Sequence, residues 1–173
     1  YGINSQGIDG NLLADEDFYN NVRGATSVGM KVGAYVFSQA INEQEAIEEA
    51  NLVINMVNAA GGKNTFAMPI VFDSEFSGCK INGVRCGRAD GLSKEQRTNI
   101  AIAFLETVKN AGYTPMIYAS SSFLVDQLDM NRLANYEVWV AHYGLSVPSY
   151  NGAYQMWQYT STGSVPGISG NVD

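Results

Sequence analysis

Short apolar runs and longer helix-period segments take turns along this chain. "KVGAYVF" (31–37), "AMPIVFD" (67–73), "YTPMIYA" (113–119) and "EVWVAHY" (137–143) are β-branched or aromatic runs bounded by turn residues, and each reads as a strand. A first helix is predicted over 15–28, with the acidic run "ADEDF" at its positive end and Gly29 just beyond its last turn. "NEQEAIEEANLVINMVNAAGG" (42–62) predicts a long helix. Asn42 and Glu45 suit its cap, Ala46, Ala50, Val53 and Val57 form an apolar face, and Gly61 and Gly62 stop it. A third helix is expected over 93–112, capped at Ser93 and closed at Gly112, and a shorter one over 121–135. After Pro148 the pattern changes: 153–160 and 169–173 read as strands with no helix between them.

Strand and helix in alternation imply parallel strands joined by helical crossovers, an α/β fold. The strands are apolar on both faces, as expected when both sides are covered. An open doubly wound sheet and a closed, TIM-like β/α barrel both fit. No glycine-rich turn follows any strand, so a dinucleotide-binding fold has no support, and "GGKNT" lacks the spacing of a phosphate loop. The barrel is the preferred reading. With 173 residues, 46% of them hydrophobic and 16% charged, the chain reads as one globular domain. Its opening, "YGINSQGIDG", is loop-like and leads into a helix without a strand, as the middle of a domain would.

Charge narrows the partners. A net charge of −7 disfavours a nucleic-acid backbone. No segment has the length and apolarity of a bilayer span or the layout of a signal peptide. The two cysteines lie in "CKINGVRC" (79–86), where Asn82-Gly83 is a type I′ hairpin signal. That turn pairs Ile81 with Val84, Lys80 with Arg85 and Cys79 with Cys86, which brings the thiols within disulfide range if the protein is exported. His142 is the sole histidine and no Cys/His set has ligand spacing, so neither a metal nor another cofactor is expected.

The chemistry-bearing stretch is "PIVFDSEF" (69–76), an apolar strand ending in two carboxylates. Side chains alternate along a strand, so Val71, Asp73 and Glu75 share one face and Ile70, Phe72 and Ser74 the other. With Ile70 and Phe72 packed on helices, Asp73 and Glu75 face a barrel interior at its C-terminal rim, where barrel enzymes build their sites. Roughly 7 Å apart by strand rise, they repel each other, so one should keep its proton to unusually high pH. A protonated acid beside an ionised one suits glycosidic bond cleavage. Strand-end acids also cap the next element or ligate calcium, and the pair alone does not choose. Other strand ends carry Tyr35, Tyr118, Trp139, His142, Tyr143, Trp157 and Gln158, which can stack on sugars and hydrogen-bond to them. Together they read as a pocket.

The chain resembles glycoside hydrolase family 25, the Chalaropsis-type lysozymes, over essentially its whole length. The resemblance is carried by "DEDFYNNVRGATSVGMKVGAYVFSQAINEQEAIEEA", "PIVFDSEF", "GRADGLSKEQRTNIAIAFLETVKNAGYTPMIYAS", "WVAHYG" and "MWQYTSTGSVPGISGNVD". It implies a modified β/α barrel and a peptidoglycan N-acetylmuramidase, an autolysin or phage endolysin cleaving the β-1,4 bond between N-acetylmuramic acid and N-acetylglucosamine. By position, Glu75 matches the general acid, Asp73 the acid that orients the 2-acetamido group, and Asp173 the acid on the last barrel strand. Tyr118, Trp139, Tyr143 and Gln158 match pocket positions. Two departures stand out. Val36 replaces a frequent histidine, and the opening strand-helix-strand unit with its carboxylate is missing, since "GID" at 7–9 lies directly ahead of the first helix. Residues 1–173 are therefore expected to form a single catalytic domain truncated at its N-terminus: a monomer, secreted or cell-wall associated, of bacterial or phage origin, with bacterial peptidoglycan as its partner. The alternatives are a glycan-binding module of the same fold that does not cut, and a hydrolase of another N-acetylated glycan.

Overall fold

The computed structural model describes residues 10–173, so the "GID" at 7–9 lies outside the described residues. In chain order the elements are α1 (Phe18–Ser27), β1 (Val32–Phe37), α2 (Glu43–Ala59), a 3-10 turn (Gly62–Asn64), β2 (Phe66–Asp73), β3 (Lys80–Ile81), β4 (Val84–Arg85), α3 (Lys94–Asn110), β5 (Pro115–Ser120), α4 (Ser121–Gln127), β6 (Glu137–Ala141) and β7 (Met156–Gln158). Five of the strands form one parallel sheet in the order β1-β2-β5-β6-β7, and β3 and β4 form a separate antiparallel hairpin. The sheet curls into a half-barrel, an α/β architecture consistent with an incomplete TIM-like barrel.

Local chemistry starts and stops the helices much as the sequence predicts. The Asn42 side chain accepts from the Glu45 backbone N–H at 2.9 Å, and Ser93 and Gln96 form a reciprocal capping box. Ala46, Ala50, Val53 and Val57 are all buried along α2, and Gly61 ends the run at φ 111°. The fourth helix is shorter than expected, ending at Gln127 rather than near 135. Leu128 turns extended so that it and Leu133 can both be buried, and the Asp129 N–H donates to Thr98 Oγ1 at 2.9 Å instead of continuing the helix.

Strand parity sets the two faces of the sheet. Ala34, Ile70, Phe72, Ile117, Ala119, Val138 and Val140 pack outward into one core with α2 and α3, and the Phe72 and Phe104 ring centroids are 5.0 Å apart. Val71, Asp73, Met116, Tyr118, Trp139 and Gln158 alternate with them and so occupy the concave face. The register matches Phe37 with Asp73, Asp73 with Tyr118, and Tyr118 with Trp139. The residues near the C-terminus contribute only one described pairing, the antiparallel bridge between Gly163 and Val172, not a strand over 169–173.

The cysteine hairpin forms as read. Asn82 (φ 51°) and Gly83 (φ 80°) make the turn, and Cys79 and Cys86 are disulfide-bonded with their Cα atoms 5.3 Å apart. Asp90 holds the base of this loop by accepting from the Ser77 N–H, the Ser77 hydroxyl and the Gly87 N–H. Reducing the disulfide should lower stability by about 2 kcal/mol, the chain-entropy value for so short a loop. Urea unfolding with and without reductant checks this, and an unchanged midpoint would contradict it.

Candidate active site

The site begins where β2 stops. The Ser38 N–H donates to the Asp73 carbonyl at 3.0 Å and the Ser74 N–H to the Tyr118 carbonyl at 2.9 Å, so Asp73 is gripped from both neighbouring strands. Its side chain is buried, and Oδ1 has no hydrogen-bond partner among the described residues. Burial, and secondarily the negative charge of Glu75, push the Asp73 carboxyl up to about 8. Glu75 sits past the end of the strand ladder with much of its side chain in water, yet the protein around it still raises its carboxyl above the ordinary glutamate range. The two acids are therefore unequal: one is dry and holds its proton, the other reaches the opening.

Glu75 lines a cleft of about 510 Å³ together with Tyr118, Ser120, Ser122, Ala141, His142 and Tyr143. The Tyr118 hydroxyl donates to Gln158 Oε1 at 2.5 Å, and the Tyr143 hydroxyl donates to the same oxygen at 2.9 Å. Burial, the Tyr143 hydroxyl and the two nearby carboxylates all raise the pKa of Tyr118, which stays protonated. Trp139 meets the Tyr118 ring edge-on with centroids 4.9 Å apart. His142 leaves β6 at its C-terminal end. Its Nδ1 accepts from the Ser149 N–H at 3.1 Å and lies 3.1 Å from the Ser121 and Ser149 hydroxyls, an arrangement that puts the ring proton on Nε2.

Not every expected residue joins this group. Tyr35, on the exposed edge strand, is 67% accessible and borders a smaller apolar trough of about 300 Å³ with Val71, Trp139 and Met156. Trp157 is a correction. It pairs in register with Val140 and so faces the helices, where it packs against the core and donates its indole N–H to the His142 carbonyl at 2.9 Å. It braces the β6–β7 corner and is no sugar platform. Asp173 is exposed and follows the bridge at Val172.

Some residues went unread in the sequence. The serine run 120–122 supplies hydroxyls to the cleft directly after β5, a signal visible as three successive small polar residues at a strand end. Glu49 is fully buried on α2, where its carboxylate accepts from the Ser38 hydroxyl at 2.6 Å and the Gln39 N–H at 3.3 Å; burial raises its pKa. It anchors the chain just after β1, beside Asp73, and nothing distinguished it among the helix's other glutamates. Among the described residues no group of three or more His, Cys, Asp or Glu side chains is placed to hold a metal ion, and no helix is long and apolar enough to cross a membrane.

Comparison with known proteins supplies the context. The model of glycosyl hydrolases family 25 matches residues 5–168. An autolytic lysozyme of Clostridium acetobutylicum is 27% identical over 158 residues, 91% of this chain and 42% of that protein. Lysozyme M1 of Streptomyces globisporus is 30% identical over 172 residues, 95% of this chain and 55% of that protein. The structure of a bacterial lysozyme from Streptomyces coelicolor superposes with a TM-score of 0.67 at 28% identity, covering 92% of this chain and 73% of that one. The chain thus spans about half the length of these two curated relatives.

Proposed function

We propose, from the premise that this chain belongs to glycosyl hydrolases family 25, that it is a muramidase hydrolysing the β-1,4 bond between N-acetylmuramic acid and N-acetylglucosamine in bacterial peptidoglycan. The observation that carries this reading is the unequal acid pair at the end of β2, one carboxyl dry and protonated, the other raised and open to a sugar-sized cleft. Relatives that are bacterial and phage lysozymes support a cell-wall substrate.

Glu75 is the proton donor. Burial raises its carboxyl above the ordinary glutamate range, and in its protonated form it delivers the proton to the glycosidic oxygen as the C1–O bond breaks. The carbonyl oxygen of the substrate's own 2-acetamido group closes on C1, so no covalent enzyme intermediate is needed. Asp73 faces that group. As the sugar binds, the Asp73 carboxyl gives its proton up to water of the cleft, because positive charge growing on the acetamido nitrogen favours the ionised form, and the unpartnered Oδ1 accepts the N–H. Water then opens the bicyclic intermediate at C1 while Glu75, now a carboxylate, takes up the water's proton, giving retention overall. Trp139, Tyr118 and Tyr143 supply flat faces and hydroxyls for the sugar rings.

A glycan-binding module that does not cut is the second reading, favoured by the exposure of Asp173 to solvent. One experiment separates them. Purified insoluble peptidoglycan is incubated with the protein, and soluble fragments are reduced with borohydride and weighed by mass spectrometry. Muropeptides with N-acetylmuramic acid at the new reducing end are expected. New N-acetylglucosamine ends would overturn the muramidase assignment, and sedimentation with the cell wall without release would favour the binding module.

A further inference from the structure

Glu75 has to be aimed at a leaving oxygen, yet its side chain makes no hydrogen bond among the described residues. The chain around it is tied at two points. The Ser74 N–H donates to the Tyr118 carbonyl at 2.9 Å, and the Ser77 N–H donates to the Asp90 carboxylate at 2.8 Å. Between these ties neither Glu75 nor Phe76 has a backbone hydrogen bond among the described residues. The span is held instead by the Phe76 ring, which packs against the core and meets Phe123 edge-on with centroids 5.1 Å apart, while Glu75 lines the cleft. The Arg85 guanidinium lies over that ring with Cζ 3.6 Å from its centroid. Arg85 is otherwise without a hydrogen bond or ion pair from its side chain among the described residues. It is delivered by β4, and the Cys79–Cys86 disulfide closes the base of that hairpin.

We infer that Arg85, with the disulfide hairpin that carries it, is a positioning residue for the proton donor: it clamps Phe76, and the clamped ring aims Glu75 into the cleft. Proton transfer needs the acid within hydrogen-bond reach of the leaving oxygen, and a misplacement of about 1 Å can slow a reaction by about a hundredfold. Glu75 is one residue from the ring, so a shift of Phe76 is passed on to it along the backbone. An exposed stack of this kind contributes little to stability, so losing it disturbs the aim far more than the fold. Arg85 acts through Phe76 and touches no reacting atom. The assignment rests on the reading of Glu75 as proton donor and adds to it the element that holds the acid in place.

The test compares two substrates that differ in their need for a proton, at a temperature where circular dichroism shows each variant folded. Arg85→Ala should slow muropeptide release from insoluble peptidoglycan by between about tenfold and a hundredfold, with sedimentation on the cell wall unchanged. An activated aryl glycoside of N-acetylglucosamine has a leaving group that needs no protonation. Its first-turnover cleavage by Arg85→Ala should stay within about twofold of the parent rate. Arg85→Lys keeps a cation over the ring and should recover most of the lost release. Val84→Ala, at an exposed neighbour on the same strand, should release muropeptides at the parent rate. Replacing both Cys79 and Cys86 by serine should reproduce the Arg85→Ala pattern. Full release by Arg85→Ala, or equal losses on the two substrates, would overturn the positioning role. A parent that releases no muropeptides, or a Glu75→Gln variant that releases them at full rate, would overturn the reading of Glu75 itself, and this one with it.

Discussion

Asparagine at position 73 is expected to make the protein more stable at alkaline pH while removing its activity. The folded Asp73 carboxyl titrates at about 8, whereas in the unfolded chain an aspartate titrates near 4. Below that lower value both states hold the proton, and the group contributes no pH-dependent difference. As pH rises, the unfolded chain gives up its proton while the folded one keeps it, so the folded state loses ground until the folded carboxyl also ionises near pH 8. The cause is desolvation: Asp73 is buried, its Oδ1 has no partner, and Glu75 adds repulsion. The asparagine amide reproduces the neutral form and never ionises. Urea unfolding should therefore find Asp73→Asn more stable by on the order of 5 kcal/mol at about pH 9 and nearly unchanged at about pH 3. Cell-wall clearing by the same variant should fall by about a hundredfold or more, because the acetamido group loses its carboxylate partner. An equal stability change at both pH values would show that repacking, not titration, is responsible. A gain in stability with full activity would remove Asp73 from the mechanism.

That trade of stability for chemistry was only half legible in the sequence. Alternation along "PIVFDSEF" places Asp73 and Glu75 on one face, and repulsion between neighbours requires one of them to keep its proton. Which one does so depends on where the ladder ends. Pairing with β1 and β5 continues through Ser74, so Asp73 lies between Phe37 and Tyr118 while Glu75 escapes toward water. A strand's last paired residue is a tertiary fact, set by its neighbours' lengths.

The same holds elsewhere. Helices α2 and α3 were readable because caps and apolar faces are local: Asn42 and Ser93 make the bonds their positions predict. The 79–86 hairpin was readable because a two-residue turn dictates its own register. Trp157 and Gln158 cannot both belong to the site, because adjacent strand residues point to opposite faces. Only the pairing of Trp157 with Val140 says that the tryptophan goes to the core. Glu49 was unreadable for a related reason: among the glutamates of α2 it alone meets Ser38 and Gln39, two residues brought there by β1.

Glutamine at position 75 should abolish catalysis and leave the fold and glycan affinity in place. Glu75 is on the open side of the cleft and past the sheet's hydrogen bonds, so an isosteric amide costs the structure little. What it removes is the one proton positioned for a leaving oxygen, and general acid catalysis of this kind is worth about a hundred- to ten-thousandfold. The rate of muropeptide release should drop by about a thousandfold, with sedimentation on insoluble peptidoglycan unchanged. The parent's pH profile carries an independent check. Because the protein raises the Glu75 carboxyl, activity should persist above the pH at which an ordinary glutamate would have ionised, then fall as Glu75 loses its proton. A good leaving group needs no protonation, so an activated aryl glycoside of N-acetylglucosamine should recover much of the first-step rate in Glu75→Gln, but none of it in Asp73→Asn. Recovery in both variants would separate neither role from simple loss of packing. Recovery in the Glu75 variant alone would identify Glu75 as the acid and Asp73 as the partner of the acetamido group. Full retention of cell-wall clearing in Glu75→Gln would exclude Glu75 as the proton donor, whatever the fold around it.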